Sequence, residues 1–181
     1  MGRHSWSNRA TVEECLTLDT SWLNRHEYFC DYKRGTVSWT NGSGETFSSI
    51  AIEVSKESYG GFVRLQYTTG NSASNSKQAM DYRIRLEETR CQYGGVRYWF
   101  ICPLSVNGKV CGKRVGKIYL PPGGAYFGCR HCHDLTYRCQ KEHDGRLDRL
   151  LENPDELLRQ LERKKGSMLA IKAAAKYLNW S

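Results

Sequence analysis

Apolar and polar residues alternate most clearly in two stretches. In Phe62–Thr68, Val63, Leu65 and Tyr67 fall on one face, with Arg64 and Gln66 on the other. In Asp81–Glu87, Tyr82, Ile84 and Leu86 share a face opposite Asp81, Arg83, Arg85 and Glu87. A period of two predicts strands of an antiparallel sheet with one buried and one wet face. Arg64, Arg83 and Arg85 then belong to a solvated strand face, with a binding face as the sharper alternative. Weaker strand patterns run over Thr11–Leu18, Thr36–Thr40 and Phe47–Val54, the last closed by Tyr59-Gly60-Gly61. Leu18, Trp22, Arg25 and Phe29 lie at helical spacing, so residues 20–29 read as a short helix capped by Asp19 or Thr20. The segment GNSASNSKQAM between the two best strands reads as a polar loop, and residues 1–10 as a loose terminus.

Beyond residue 140 the period becomes helical. Asn153-Pro154-Asp155-Glu156 has a cap, a proline and first-turn acids in the order that starts a helix, and Gly166 stops it. Ser167–Trp180 is a second candidate. Two short helices joined at a glycine permit a helix-turn-helix, but an antiparallel pair is the simpler expectation. The expected fold class is α+β: an antiparallel β-rich N-terminal domain over 1–90 with a short helix, a zinc ribbon over 91–140, and a helical segment over 141–181.

The ribbon is read from Cys102-x8-Cys111-x17-Cys129-x2-Cys132. Two cysteine pairs on tight knuckles, separated by a spacer of this length, bring four thiolates to one tetrahedral zinc ion. Pro103 and Gly112 follow the first two cysteines, as knuckle backbones require. The first interval is long for a knuckle, and Asn107-Gly108 repairs it. This dipeptide favours a type I′ turn, so Leu104–Val106 and Lys109–Cys111 become the arms of a small hairpin. Val115–Leu120 and Ala125–Gly128, joined by Pro121-Pro122-Gly123-Gly124, read as a second hairpin. His131 and His133 flank Cys132 and are alternative ligands, although exposed knuckle histidines are the plainer reading. Cys91 and Cys139 lie near enough in sequence to enlarge the site, while Cys15 and Cys30 read as small buried hydrophobes.

Charge and composition narrow the function. The chain has 181 residues and a formal net charge of +8, with 39% hydrophobic residues. No apolar run approaches the roughly 20 residues of a spanning helix, so no membrane partner is expected. The first residues lack a secretory h-region, and eight cysteines without one point to the cytoplasm and to metal ligation rather than disulfides. Residues 1–90 are charge-balanced, whereas 91–140 carry seven basic residues against Asp134 alone. A zinc ion with four thiolates contributes −2, which leaves this stretch basic. Lys113, Arg114, Lys117 and Arg130 are therefore candidate nucleic-acid contacts, with DNA as the expected polyanion. Aromatic residues crowd the same stretch, mostly as cover for a small metal domain.

The strings TRCQYGGVRYWFICP, CGKRVGKIYL and YFGCRHCHDLTY within 89–137 resemble a family of small uncharacterised bacterial and phage-associated proteins. LDTSWLNRHEYF and SWTNGSGETFSSIAI are similar to the N-terminal halves of the same family. The resemblance implies a β-rich domain fused to a four-cysteine zinc ribbon. The Cys102–Cys111 interval is longer than the family's usual pair. No P-loop, GxSxG, HExxH or dinucleotide fingerprint is present, so no enzyme is expected and no catalytic residue is assigned. Cys139 and His143, four apart, suggest a nucleophile and base only by coincidence of spacing. Two functions follow: a nucleic-acid-binding module with structural zinc, or a phage or mobile-element factor that binds a host protein.

Overall fold

The computed structural model describes residues 9–57, 60–71 and 76–142, together with residues 152, 153, 155, 158 and 159. The chain divides into two compact units, Met1–Tyr137 and Arg138–Ser181. In the second, α2 spans Arg138–Glu142. The helices expected over 150–180 lie almost wholly outside the described residues. Among the described residues no helix is long and apolar enough to cross a membrane.

Alternation governs the first unit. β2 (Tyr32–Thr40), β3 (Thr46–Glu57), β4 (Gly60–Asn71), β5 (Ser76–Arg90) and β6 (Val96–Ile101) form an antiparallel meander. β9 (Arg114–Val115) adds a sixth strand beside β6. The sheet therefore runs past residue 90 and takes in part of the cysteine segment. Its register stacks Ile52 on Leu65 and Val54 on Val63, and Val63 on Ile84 and Leu86 on Phe100 across the next strands. All of these side chains are buried.

A second layer covers this face. β1 (Leu16–Asp19) pairs antiparallel with β10 (Lys117–Leu120), and α1 (Thr20–Arg25) follows β1 directly. Leu18, Leu23, Ile118, Leu120 and Phe127 from this layer join the sheet's apolar face in one core.

Several expectations need correction. Thr11–Leu18 is not one strand. Thr11 makes a bridge to Thr136, Val12–Glu14 form a 3-10 turn, and only Leu16–Asp19 is extended. The cause is a capping arrangement in which Thr11 donates its N–H to the Glu14 carboxylate at 2.9 Å. Asp19 caps α1 as expected, accepting from the Ser21 N–H at 2.7 Å. The helix stops at Arg25 rather than residue 29. Tyr28 donates to the Leu23 carbonyl and Glu27 to the Asn24 carbonyl, with Glu27 at φ 56°. This is a Schellman stop with glutamate where glycine usually stands, so the sequence carries no stop signal.

The strands are also longer than their patterns. Gly60 and Gly61 begin β4 instead of closing β3, and pairing of β4 with β5 reaches Asn71 opposite Ser76. Gly70, Asn71, Ser76 and Ala79 of the supposed loop are paired strand residues. Finally, Ala125–Gly128 is not a strand, since only Gly128 bridges Tyr119. That segment hangs instead on two tyrosines of the sheet. Tyr67 donates its hydroxyl hydrogen to the Ala125 carbonyl at 2.6 Å, and the Phe127 N–H donates to the Tyr82 oxygen at 2.8 Å. With the Tyr67 hydrogen committed, Tyr82 donates across the 3.0 Å between the two phenols.

Two outcomes are expected. Tyr82→Phe leaves the Phe127 N–H without its acceptor, and urea unfolding should register a loss of about 1–3 kcal/mol. On the wet face, hydrogen bonds from Arg64 and Gln66 hold the Asp81 carboxyl at about 2, below its ordinary 3.8. Its stabilising contribution is complete above the ordinary value and disappears as pH falls through about 2. Carboxyl NMR titration should find this low midpoint, and Arg64→Gln should raise it.

Candidate metal centre

Three short elements carry the four cysteines. β6 delivers Cys102 at its end, and β7 (Ser105–Val106) and β8 (Lys109–Val110) then form a hairpin that returns the chain to Cys111. Asn107 and Gly108 occupy its turn at φ 51° and 75°, the left-handed values a type I′ turn demands. The Cys111 N–H donates to the Leu104 carbonyl at 2.8 Å and the Cys102 N–H to the Lys113 carbonyl at 3.0 Å, which ties the base of the loop. The long first interval is thus a folded excursion that leaves its two ends together. Cys129 and Cys132 stand on the turn after Gly128.

The sulfurs converge. All four Sγ atoms lie within 4.8 Å of one another. Cys102 and Cys132 are 3.9 Å apart and Cys111 and Cys129 3.8 Å. These spacings are far beyond a disulfide bond of about 2.05 Å. They match the edge of a tetrahedron, about 3.8 Å, whose centre lies about 2.3 Å from each corner. Cys102 and Cys129 are buried, and Cys111 and Cys132 half-buried. The cluster can hold a metal ion.

Backbone amides prepare the thiolates. Cys129 donates its N–H to the Cys102 sulfur at 3.3 Å, and Cys132 to the Cys129 sulfur at 3.4 Å. The Leu104 and Lys113 amides serve Cys102 and Cys111 likewise. Burial nevertheless pushes the Cys102 and Cys132 thiols up, and neighbouring sulfurs add to the shift. At Cys111 burial acts upward too, but the Lys113 amide and the surrounding thiols outweigh it and bring the group down. Four sulfurs so close cannot all ionise without a cation among them. The donor set fits a soft metal and is incomplete electrostatically without one.

The two knuckles also touch. A Cβ on Gly128 would meet the Leu104 side chain, and would lie 3.0 Å from His133 Nε2. Only glycine permits this approach between the halves of the site. His131 is exposed as expected, but His133 is half-buried, and its Nε2 is buried without a hydrogen-bond partner among the described residues. Burial lowers its pKa, while the Tyr126 and Tyr119 carbonyls act the other way. Neither histidine belongs to the four-sulfur cluster.

The remaining cysteines stand apart. Cys91 and Cys139 are exposed and outside the cluster. Cys30 is exposed rather than buried, and Cys15 only half-buried. Burial, with Glu14 and Glu13 nearby, pushes the Cys15 thiol up to about 11, which makes it a poor nucleophile. Cys139 lies on α2, and His143 is outside the described residues.

The candidate nucleic-acid contacts are dispersed through the segment. Lys113 is exposed just beyond the first knuckle. Arg114 opens β9 and pairs with Glu87 at 3.1 Å, and Lys117 opens β10 and pairs with Asp19 at 3.3 Å. Arg130 sits on the second knuckle, its guanidinium 5.0 Å from the Tyr137 ring centre. Of the aromatic residues nearby, Tyr98, Phe100, Tyr119 and Phe127 are buried, whereas Tyr93 is 98% exposed. Comparison with protein-family models, with curated proteins and with solved structures returns no match to this chain.

The cluster makes a specific expectation for metal content. Cys129→Ala should abolish stoichiometric metal and loosen the 102–132 segment, read by elemental analysis and by limited proteolysis. Cys15→Ala should leave metal content unchanged. Loss of metal from the Cys15 variant would mean that the ligands are assigned wrongly.

Proposed function

We propose that this chain is a nucleic-acid-binding module, DNA being the expected polyanion, built on a β-rich domain that a zinc ion stabilises through Cys102, Cys111, Cys129 and Cys132. Zinc suits the site because four thiolates in a tetrahedral arrangement are its characteristic structural donor set. A closed four-thiolate site has no open coordination position, so the metal supplies folding energy and the function is binding rather than catalysis. All eight cysteines are free, which fits a reducing compartment such as the cytoplasm. The resemblance of 89–137 to small bacterial and phage-associated zinc-ribbon proteins implies the metal and the β-rich domain of this reading and carries no activity with it.

The observation that carries the binding proposal is the charge distribution. Residues 91–140 hold seven basic residues and one acid, and stay net positive after four thiolates and a zinc ion are counted. Lys113, Arg114, Lys117 and Arg130 are the proposed phosphate contacts. Two of them are engaged by carboxylates on the surface, and such exposed pairs are weak enough, at about 0–1 kcal/mol, for a phosphate to displace.

A second reading draws on the first knuckle. Val110 is 72% exposed and Val106 is also exposed on the hairpin tip. An apolar tip of this kind fits a host-protein partner, with zinc purely structural.

Salt dependence separates the two. If about four phosphates are neutralised, log K for DNA should fall with log salt at a slope of about −3 to −4. Replacing Lys113 and Lys117 together by Ala should flatten the slope by up to about two units, with zinc content intact. Fluorescence anisotropy of labelled DNA across a salt series measures it. No binding by metallated protein at low salt would favour the protein-partner reading.

A further inference from the structure

The outer face of the six-stranded sheet carries chemistry that neither the core nor the metal centre uses. Strand register and alternation place Arg34, Arg64, Arg83, Arg85, Arg97 and Arg114 on it. Among the described residues strand alternation places four acids on the same face, Glu53, Glu57, Asp81 and Glu87. Glu53 and Asp81 engage Arg64, and Glu87 engages Arg85 and Arg114. Arg34, Arg83 and Arg97 make no ion pair among the described residues, and all three are exposed.

Two of these free arginines lie on aromatic rings. The Arg83 guanidinium is 4.4 Å from the Phe62 ring centre, and that of Arg97 is 4.2 Å from the Trp99 ring. Trp99 is itself fixed, since its indole N–H donates to Thr89 Oγ1 at 3.0 Å. Phe62 and Trp99 are half-buried on this outer face and are not part of the hydrophobic core. What they do is hold two planar cations in place at the surface. A guanidinium already held on a ring loses little rotamer freedom when a ligand arrives, and offers both N–H donors and a flat face.

We infer that this outer face, rather than the knuckles alone, is a platform for single-stranded nucleic acid, an inference that rests on the nucleic-acid reading above. Charge complementarity selects a polyanion. The Arg–aromatic stacks select one whose bases are unpaired, because only a single strand exposes base π-faces for stacking. A duplex would present its grooves, and reading those takes an element that projects into them. Phe62 and Trp99 pair with Arg85 and Glu87, two residues apart on β5 and on its opposite sides, so the two stacks are about 12 Å apart and within reach of one nucleic-acid strand.

The test uses the metal-loaded full chain and a fluorescein-labelled, mixed-sequence DNA strand of about 20 nucleotides, with its duplex as comparison. Single-stranded DNA should bind at least about tenfold more tightly than duplex at moderate salt, where phosphate attraction alone is weakened. Arg83→Gln with Arg97→Gln should weaken that binding by about tenfold or more, because charge and stacked plane are both lost at two sites. Metal content and thermal midpoint should not change, because both side chains are exposed. Arg83→Lys with Arg97→Lys should keep the salt slope yet recover only part of the affinity, since lysine keeps charge without the plane. Wild-type protein that binds DNA while the glutamine variant binds equally well would overturn the platform and leave the nucleic-acid reading standing. Equal affinity for duplex, or a lysine variant as good as wild type, would overturn the stacking role. A wild-type protein that binds no DNA at low salt would sink the nucleic-acid reading and this inference with it.

Discussion

A six-stranded sheet with one apolar face requires a second layer over that face, and here the covering layer and the metal centre share one stretch of backbone. Phe100 and Phe127 are fully buried in the core, and each stands two residues before a cysteine of the cluster. The strand that ends in Cys102 is hydrogen-bonded into the sheet, and the segment that leads to Cys129 is held by the Tyr67 and Tyr82 hydroxyls. Packing and ligation therefore cannot be varied separately. Moving a sulfur by an ångström displaces a core phenyl ring, and interiors at crystal-like density tolerate such shifts poorly. Phe127 packs edge-on against Tyr67 with ring centres 5.7 Å apart, which adds a direct contact between core and clamp.

Much of this was legible in the residues. The strands with clean alternation, 62–68 and 81–87, sit in the sheet with the expected faces buried, because period-two patterning and one-sided burial are the same fact seen twice. The four sulfurs converge because cysteine spacing and an Asn-Gly turn are local signals that do not depend on distant residues. What the sequence hid was long-range or lacked its usual marker. Glu27 ends α1 in a left-handed conformation without glycine. The 125–128 segment follows hydroxyl groups 58 and 45 residues earlier in the chain, and no local pattern announces that. Ala, Ser and Gly around residues 70–80 carry turn propensity, yet the growing ladder of β4 and β5 overrides it.

The surface has a corresponding division. Lysine and arginine in the cysteine segment, Arg97 and Arg114 among them, stand out by count, whereas Arg34, Arg64, Arg83 and Arg85 of the sheet are hidden in a charge-balanced stretch of the chain. Balance in one dimension is not balance in space. Glu13 and Glu14 lie in the 3-10 turn and Glu27 just past α1, outside the six-stranded sheet that carries Arg34, Arg83 and Arg97. Net charge by segment thus locates one basic region and overlooks another that only strand register assembles.

The pairing of β1 with β10 bears on how the chain is made. Leu16 meets Leu120, and Asp19 meets Lys117, across roughly a hundred intervening residues, whereas β2 to β6 join through short connections. On a ribosome the meander can close early, but its apolar side stays wet until the strand ending at Leu120 and the Phe127 segment have emerged. The last cysteine pair emerges with them. The cluster can therefore take up a metal ion only late in biosynthesis, and until then the nascent sheet presents Ile52, Leu65 and Ile84 to chaperones and to other nascent chains.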